Sequence, residues 1–180
     1  KAPLWGLLCF WIASPHAADK PDADAVASAH PLATAAGIAV LQSGGNAFDA
    51  AVAVSAVLGV VGPYGSGLGG GGFWLLHEAK TGKQVMVDGR EVAPLKAHRD
   101  MYLDRRGNPL PAASIDGPLA AGIPGTPKAL AHIAKVYGRL PLAVTLAPAI
   151  RLADEGFSVD DMYRRYAGFR QQALLKSPAA

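Results

Sequence analysis

Apolar and polar positions change their rhythm several times along this chain. From Leu32 to Ser43 the residues are mostly alanine and aliphatic, and Ile38 and Leu41 fall at helical spacing. Gly44-Gly45 then stops the predicted helix, because glycine readily takes the left-handed conformation that ends one. Asn46 follows, with Asp49 three positions later. Asparagine caps helix N-termini and an acid in the first turn suits the helix dipole, so a second helix is predicted from about Ala47 to Val61. Its sequence, "AFDAAVAVSAVLGVV", is apolar all round and rich in small residues. Such a helix is buried and closely packed. It is too short for a membrane span and carries Asp49 too near its start.

A glycine run from Gly65 to Gly72 comes next, and the period then changes. "FWLLHEA" reads as a buried strand, "KTGK" as a turn and "QVMVDGR" as a second strand. Two strands this close in sequence predict an antiparallel β-hairpin. Beyond Pro94 the pattern is irregular, with a short helical piece near Asp100–Leu103 and a loop over "DRRGNPLPAASIDGPLAAG". "PGTPKALAHIAKVYG" predicts a helix with Thr126 as cap, Pro127 in the first turn and Gly138 at the end. "LPLAVTLAPAIRLADEG" predicts a helix with a break or kink at Pro148, and a polar, aromatic helix begins near Asp160. A buried helix pair beside a hairpin is an α+β arrangement of helices layered on a sheet.

Composition narrows the class. The 180 residues are 51% hydrophobic and 17% charged, which suits one globular domain with a sizeable core. The 21 glycines and 14 prolines lie mostly between apolar runs, so the chain is tightly turned rather than disordered. Net charge is +3 and the basic residues are scattered, so neither nucleic acid nor membrane is an expected partner.

The start, "KAPLWGLLCFWIASPHAADK", has one positive charge, an apolar or small stretch from Leu4 to Ala13, then Ala17 and Ala18. That is the layout of a secretory signal, with an apolar region too short to cross a bilayer. Pro15 or His16 falls where a cleavage site prefers a small residue, and a buried apolar segment is the alternative. Residues 1–18 are expected to be a signal, 19–180 the exported part, and the destination the periplasm or the exterior. The only cysteine, Cys9, lies inside the apolar stretch, so residues 19–180 hold neither a disulfide nor a thiolate metal site. The first residue is Lys1, and "LLKSPAA" follows a helix with no clear ending. A piece of a longer chain is expected.

Candidate chemistry begins with the glycines. Gly65-Ser66-Gly67-Leu68-Gly69-Gly70 fits G-x-G-x-x-G, but a nucleotide loop joins a strand to a helix N-terminus. Here a helix precedes the loop and a strand follows it, so no helix N-terminus is expected there. No Gly-Lys-Ser/Thr follows either. Two readings remain: tight backbone packing of helix on sheet, which spacing alone favours, and a floor beneath an active site. Asp49 reads as a capping residue rather than a catalytic acid. Ser66, His77 and Asp88 can be written as a triad, yet Tyr64 and Leu68 stand where a nucleophile elbow needs glycines. His16, His30, His77, His98 and His132 show no close ligand spacing, so no metal site is expected. Arg90, just past the second strand, reads on its own as a surface arginine or as the partner of Asp88 or Glu91.

Several phrases together carry a resemblance. "HPLATAAGIAVLQSGGNAFDAAVAVSAVLGVV", "GSGLGGGGFWLLHEAKTGK", "DGREVAP", "AGIPGTPKALA" and "YGRLPLAVTLAPAIRLADEGF" resemble, in order, the N-terminal part of the γ-glutamyltranspeptidases, or glutathione hydrolases. The likeness runs from about Ala29 to Phe157. It implies an N-terminal-nucleophile hydrolase with a four-layer αββα sandwich, of which this chain is a partial, N-terminal portion of the large subunit. Such precursors cut themselves, freeing a threonine at the start of a small subunit that stays as partner. Its hydroxyl attacks a γ-glutamyl amide, its α-amino group serves as base, and an acyl-enzyme passes the glutamyl group to water or to an amino acid or peptide. Glutathione or other γ-glutamyl compounds are the implied donors, with no metal or organic cofactor. Arg90 would grip the α-carboxylate, since guanidinium offers two parallel N–H donors and stays charged. Thr34, Thr81, Thr126 and Thr145 all lack the Thr-Thr-His-like context of the processing site. The catalytic residue is therefore expected downstream of Ala180, and none in this chain. Relatives acting on cephalosporin side chains, oxamate or poly-γ-glutamate, and a scaffold homologue without the nucleophile, are the alternatives.

Overall fold

The computed structural model describes residues 24–176. The expected signal at residues 1–18 lies outside them. Helix α1 spans Pro31–Gln42, and its N-terminus is capped by His30, whose Nδ1 accepts the Leu32 N–H at 3.1 Å. Its end is a full Schellman closure: Gly45 N–H donates to the Val40 carbonyl and Gly44 N–H to that of Leu41, both at 3.0 Å. Gly44 sits at φ +89°, which explains the glycine.

Helix α2, Ala47–Val61, is the spine of the molecule. One side packs on α1 and on α4 (Leu142–Glu155) through Ala33, Ala36, Ala56, Val57, Val61 and Ala149. The small side chains let the helices approach closely. Its other side meets the sheet and α3 (Thr126–Tyr137) through Val52, Leu76, Leu130, Ile133 and Ala134. An all-round apolar helix is thus enclosed on two sides, as its sequence predicts.

Among the described residues the sheet is one antiparallel hairpin, β1 (Phe73–Glu78) with β2 (Lys83–Asp88), in register from Phe73 opposite Asp88 to Glu78 opposite Lys83. Alternation sends Trp74, Leu76, Val85 and Val87 towards the helices. Phe73, Leu75 and Met86 face outwards and remain 56%, 65% and 56% exposed. Helices therefore lie on one face of the hairpin, an α+β layering.

β1 is therefore not the buried strand expected, since only Leu76 of it is buried, and three further expectations need correction. The stretch Asp100–Leu103 is not helical but a pair of turns, and the following loop contains two single-turn 3₁₀ helices, Pro111–Ser114 and Pro118–Ala120. Helix α4 continues through Pro148, so the break offered as one alternative there is not found. A proline inside a helix costs about 3 kcal/mol, and here the apolar stripe of α4 buried on α2, with Leu146, Ala149 and Leu152, offsets it. Thr126 is the first helical residue of α3 rather than its cap; Gly125 holds the cap position and no side chain bonds there.

Helix α5, Asp161–Leu174, begins at Asp160, whose carboxylate accepts the Tyr163 N–H at 2.7 Å. No residue of α5 is buried. It is held by Tyr166 stacked on Tyr64 at 4.9 Å, by Tyr163 edge-on to Tyr64 and Phe157, and by the Arg170–Asp116 ion pair.

Candidate functional site

The glycine run has a definite structural task. Gly72 and Gly89 exchange both backbone hydrogen bonds, at 3.2 and 3.0 Å, and carry the hairpin ladder one pair beyond Phe73 and Asp88. The Gly70 carbonyl accepts the N–H groups of Gly125 and Thr126, each at 3.1 Å. So a helix N-terminus does meet the loop, against the sequence expectation. It belongs to α3, which arrives from far along the chain, and a carbonyl of the run accepts two of the amides there.

The backbones are in direct contact at this point. A Cβ on Gly71 would stand 2.5 Å from the Gly89 carbonyl oxygen and 2.7 Å from the Glu91 nitrogen, and one on Gly125 would overlap that same carbonyl. Gly89 is hemmed in by Ala129 and Trp74, each 2.7 Å from where its Cβ would be. Three glycines thus join the start of β1, the end of β2 and the first turn of α3.

Two clefts flank this junction. One, about 550 Å³, lies over the glycine run, with Ser55, Tyr64, Ser66, Trp74, Glu91 and Thr126 on its walls. The other, about 580 Å³, is bounded by β2, Arg90, Lys128 and His132, with Met86, Val92 and Ile123 as apolar walls. Successive residues of the extended segment after β2 thereby serve different clefts, Arg90 one and Glu91 the other.

Arg90 is 68% exposed. Its backbone N–H donates to Asp88 Oδ1 at 2.9 Å, and its Nε lies 3.4 Å from Glu91 Oε2. Both partners named from sequence are therefore engaged, one through the main chain and one through the guanidinium. An exposed pair of this kind contributes about 0–1 kcal/mol, so the guanidinium is held only lightly.

The other candidates are dispersed. Asp49 is fully buried and closes a capping box with Asn46, at 2.9 Å to its N–H, as expected. It also accepts the N–H groups of Arg139 (2.9 Å) and Leu140 (3.3 Å), while Asn46 Nδ2 donates to the Tyr137 carbonyl at 2.7 Å. The cap of α2 thus also fixes the α3–α4 junction. Ser66, His77 and Asp88 form no triad. Asp88 pairs with Phe73 and His77 with Gln84, so they sit four positions apart along the hairpin, roughly 14 Å at 3.4 Å per residue.

Three of the four threonine hydroxyls have local partners: Thr34 with Ser28 Oγ at 2.8 Å, Thr81 with the Glu78 carbonyl at 3.4 Å and Thr145 with the Leu142 carbonyl at 2.9 Å. Among the described residues, no three metal-ligating side chains come together, and no helix is long and apolar enough to cross a membrane.

The family model described as Gamma-glutamyltranspeptidase matches residues 33–180. The chain belongs to the gamma-glutamyltranspeptidase family. The glutathione hydrolase proenzyme of Escherichia coli is 46% identical over 136 residues, 76% of this chain and 23% of that protein. Among solved structures, the gamma-glutamyltranspeptidase of Helicobacter pylori is similar at a TM-score of 0.84 and 41% identity, over 89% of this chain and 46% of that one. A cephalosporin acylase from Bacillus halodurans is similar at 0.70 and 30%, over 92% of this chain and 32% of its own. The chain spans about a quarter of the length of the curated relatives it matches first.

Within this chain of the gamma-glutamyltranspeptidase family, sequence reasoning placed Arg90 correctly just past a strand end. It missed Lys128 as a neighbour in the same cleft. The contact that brings them together is backbone on backbone, and the repeated glycines of "DGR" and "PGTP" are the one signal that could have suggested it.

Proposed function

We propose that the complete gene product is an exported γ-glutamyltransferase and glutathione hydrolase, and that Arg90 holds the α-carboxylate of its γ-glutamyl donor. Family membership, and relatives named glutathione hydrolase proenzymes, support the reaction class. The observation that carries the role of Arg90 is its position: a guanidinium at the end of β2, open to a cleft and tied by one weak ion pair. A carboxylate that accepts two of its N–H groups gains more than Glu91 gives, since hydrogen bonds to charged groups contribute about 1.5–3 kcal/mol.

In this reading the whole protein is an αββα sandwich, cut by itself into two subunits, and the attacking threonine comes from the part of the gene product outside this chain. The threonine hydroxyl adds to the γ-carbonyl, the amine leaves with a proton, and water or an amino acid or peptide takes the glutamyl group. Export draws on the apolar leader layout of residues 1–18. A related amidohydrolase acting on other acyl groups is a second reading, which the likeness to the cephalosporin acylase favours at lower identity.

Arg90→Lys in the complete gene product tests the role. Lysine keeps the charge and loses the two-pronged geometry, so kcat/KM for a γ-glutamyl nitroanilide should fall on the order of ten- to a hundredfold. Turnover at the wild-type level would remove Arg90 from the site.

A further inference from the structure

We infer that Lys128 is a second cationic contact in the cleft that holds Arg90, and that it favours γ-glutamyl donors carrying another carboxylate beyond the glutamyl group. The inference rests on the proposed role of Arg90 and adds the class of donor to it.

The placement follows from the glycine junction. Gly125 touches the Gly89 carbonyl so closely that it accepts no side chain, Ala129 and Trp74 exclude one from Gly89, and Gly70 fixes the start of α3 through two hydrogen bonds. Lys128 stands three residues after Gly125, one helical turn in, and Arg90 stands one residue after Gly89. The two cations therefore line one cleft from opposite elements.

Their charge is unequally neutralised. Glu91 pairs with the Arg90 guanidinium, whereas no carboxylate among the described residues lies within ion-pair distance of Lys128. The side chain is solvent-exposed, on a flexible four-carbon stem. Such a point charge suits a second anionic group whose position varies with the leaving group. A donor whose leaving group carries a carboxylate meets both cations. One with a neutral leaving group meets Arg90 alone and leaves Lys128 hydrated.

The test uses the complete gene product and two donors that differ by one carboxylate, a γ-glutamyl nitroanilide and its ring-carboxylated counterpart. The readout is the ratio of their kcat/KM values. The wild type should prefer the carboxylated donor about two- to fivefold, the range expected of an exposed charge pair. Lys128→Met should bring the ratio to about one, Lys128→Arg should keep it, and added salt should shrink it in the wild type, since the screening length falls from about 10 Å at 0.1 M to 3 Å at 1 M.

A ratio unchanged in Lys128→Met, or equal losses on both donors, overturns the inference, and the Arg90 reading stands if Arg90→Lys still lowers both. Undiminished turnover of both donors by Arg90→Lys overturns the Arg90 reading and removes the ground for this one. A wild type that turns over neither donor overturns both.

Discussion

Asp49 shows what one side chain does when a short-range and a long-range task fall on it together. Its spacing from Asn46 makes the capping role legible in the sequence. The bonds to Arg139 and Leu140 are not legible, because those amides lie about ninety positions away and only the packing of α3 and α4 brings them back. A fully buried carboxylate without a cation is stabilised here by backbone donors alone, which explains why an acid is retained at this point of an apolar helix. Asp49→Ala should strand three N–H groups. With a buried unsatisfied group costing about 1–3 kcal/mol, and these sites only part-buried, the expected loss is about 2–4 kcal/mol. Asp49→Asn, which keeps one acceptor oxygen, should lose less. Urea unfolding midpoints of the two variants check the order, and a midpoint unmoved in Asp49→Ala would show that the α3–α4 junction does not depend on these bonds. Asp104, by contrast, has only local partners. The Asn108 side chain and backbone hold its carboxyl below the usual value, and the residue organises one turn.

Elements divide in the same way. The two first helices, the hairpin and the limits of α3 follow from periodicity and punctuation, because each depends on neighbours a few residues away. Thr126 was misread because threonine before proline has the look of a cap, whereas its own N–H and that of Gly125 are bonded to the Gly70 carbonyl, more than fifty residues earlier, and the helix starts one residue sooner, at a Gly125 cap. The break allowed for at Pro148 does not occur for a similar reason: helix propensity is local, and the burial that overrides it is not. The glycine run separates its two readings experimentally. At Gly71 and Gly125 a methyl group meets backbone, whereas at Gly65 and Gly69 nothing lies within 4 Å and φ is not positive. Overpacking costs about 1–3 kcal/mol even where side chains can yield, so Gly71→Ala and Gly125→Ala should lose about 3 kcal/mol or more. Gly65→Ala and Gly69→Ala should stay within about 0.5 kcal/mol of wild type, as surface substitutions do. Thermal unfolding decides the stability question. If all four variants unfold alike, the junction is not the reason for the glycines. If Gly69→Ala keeps its stability but slows turnover in the complete gene product, the run is also the floor of a working site.

At the scale of the molecule, the described residues include the proposed binding group, Arg90, and no hydroxyl arranged with a base. The hairpin buries one face on the helices and leaves Phe73, Leu75 and Met86 on the other, and two strands alone are a marginal sheet. Arg90 stands at the end of that hairpin. What the proposed chemistry requires besides is a hydroxyl activated by a base, with the α-amino group of the same threonine as the simplest source. Thr34, Thr81, Thr126 and Thr145 are each joined by peptide bonds on both sides, so none carries a free α-amino group. Three have their hydroxyls in local hydrogen bonds, and Thr126 is buried in the first turn of α3, its own N–H held by Gly70. Ser66 lacks a histidine and an acid arranged to activate it, since His77 and Asp88 belong to opposite ends of the hairpin. Residues 1–180, purified alone, should therefore release no nitroaniline from a γ-glutamyl nitroanilide above the rate in buffer, while the complete gene product does. Sustained turnover by the isolated chain, abolished by Thr126→Ala or Ser66→Ala, would place the nucleophile inside it and end the account in which binding and attack come from different parts of one polypeptide.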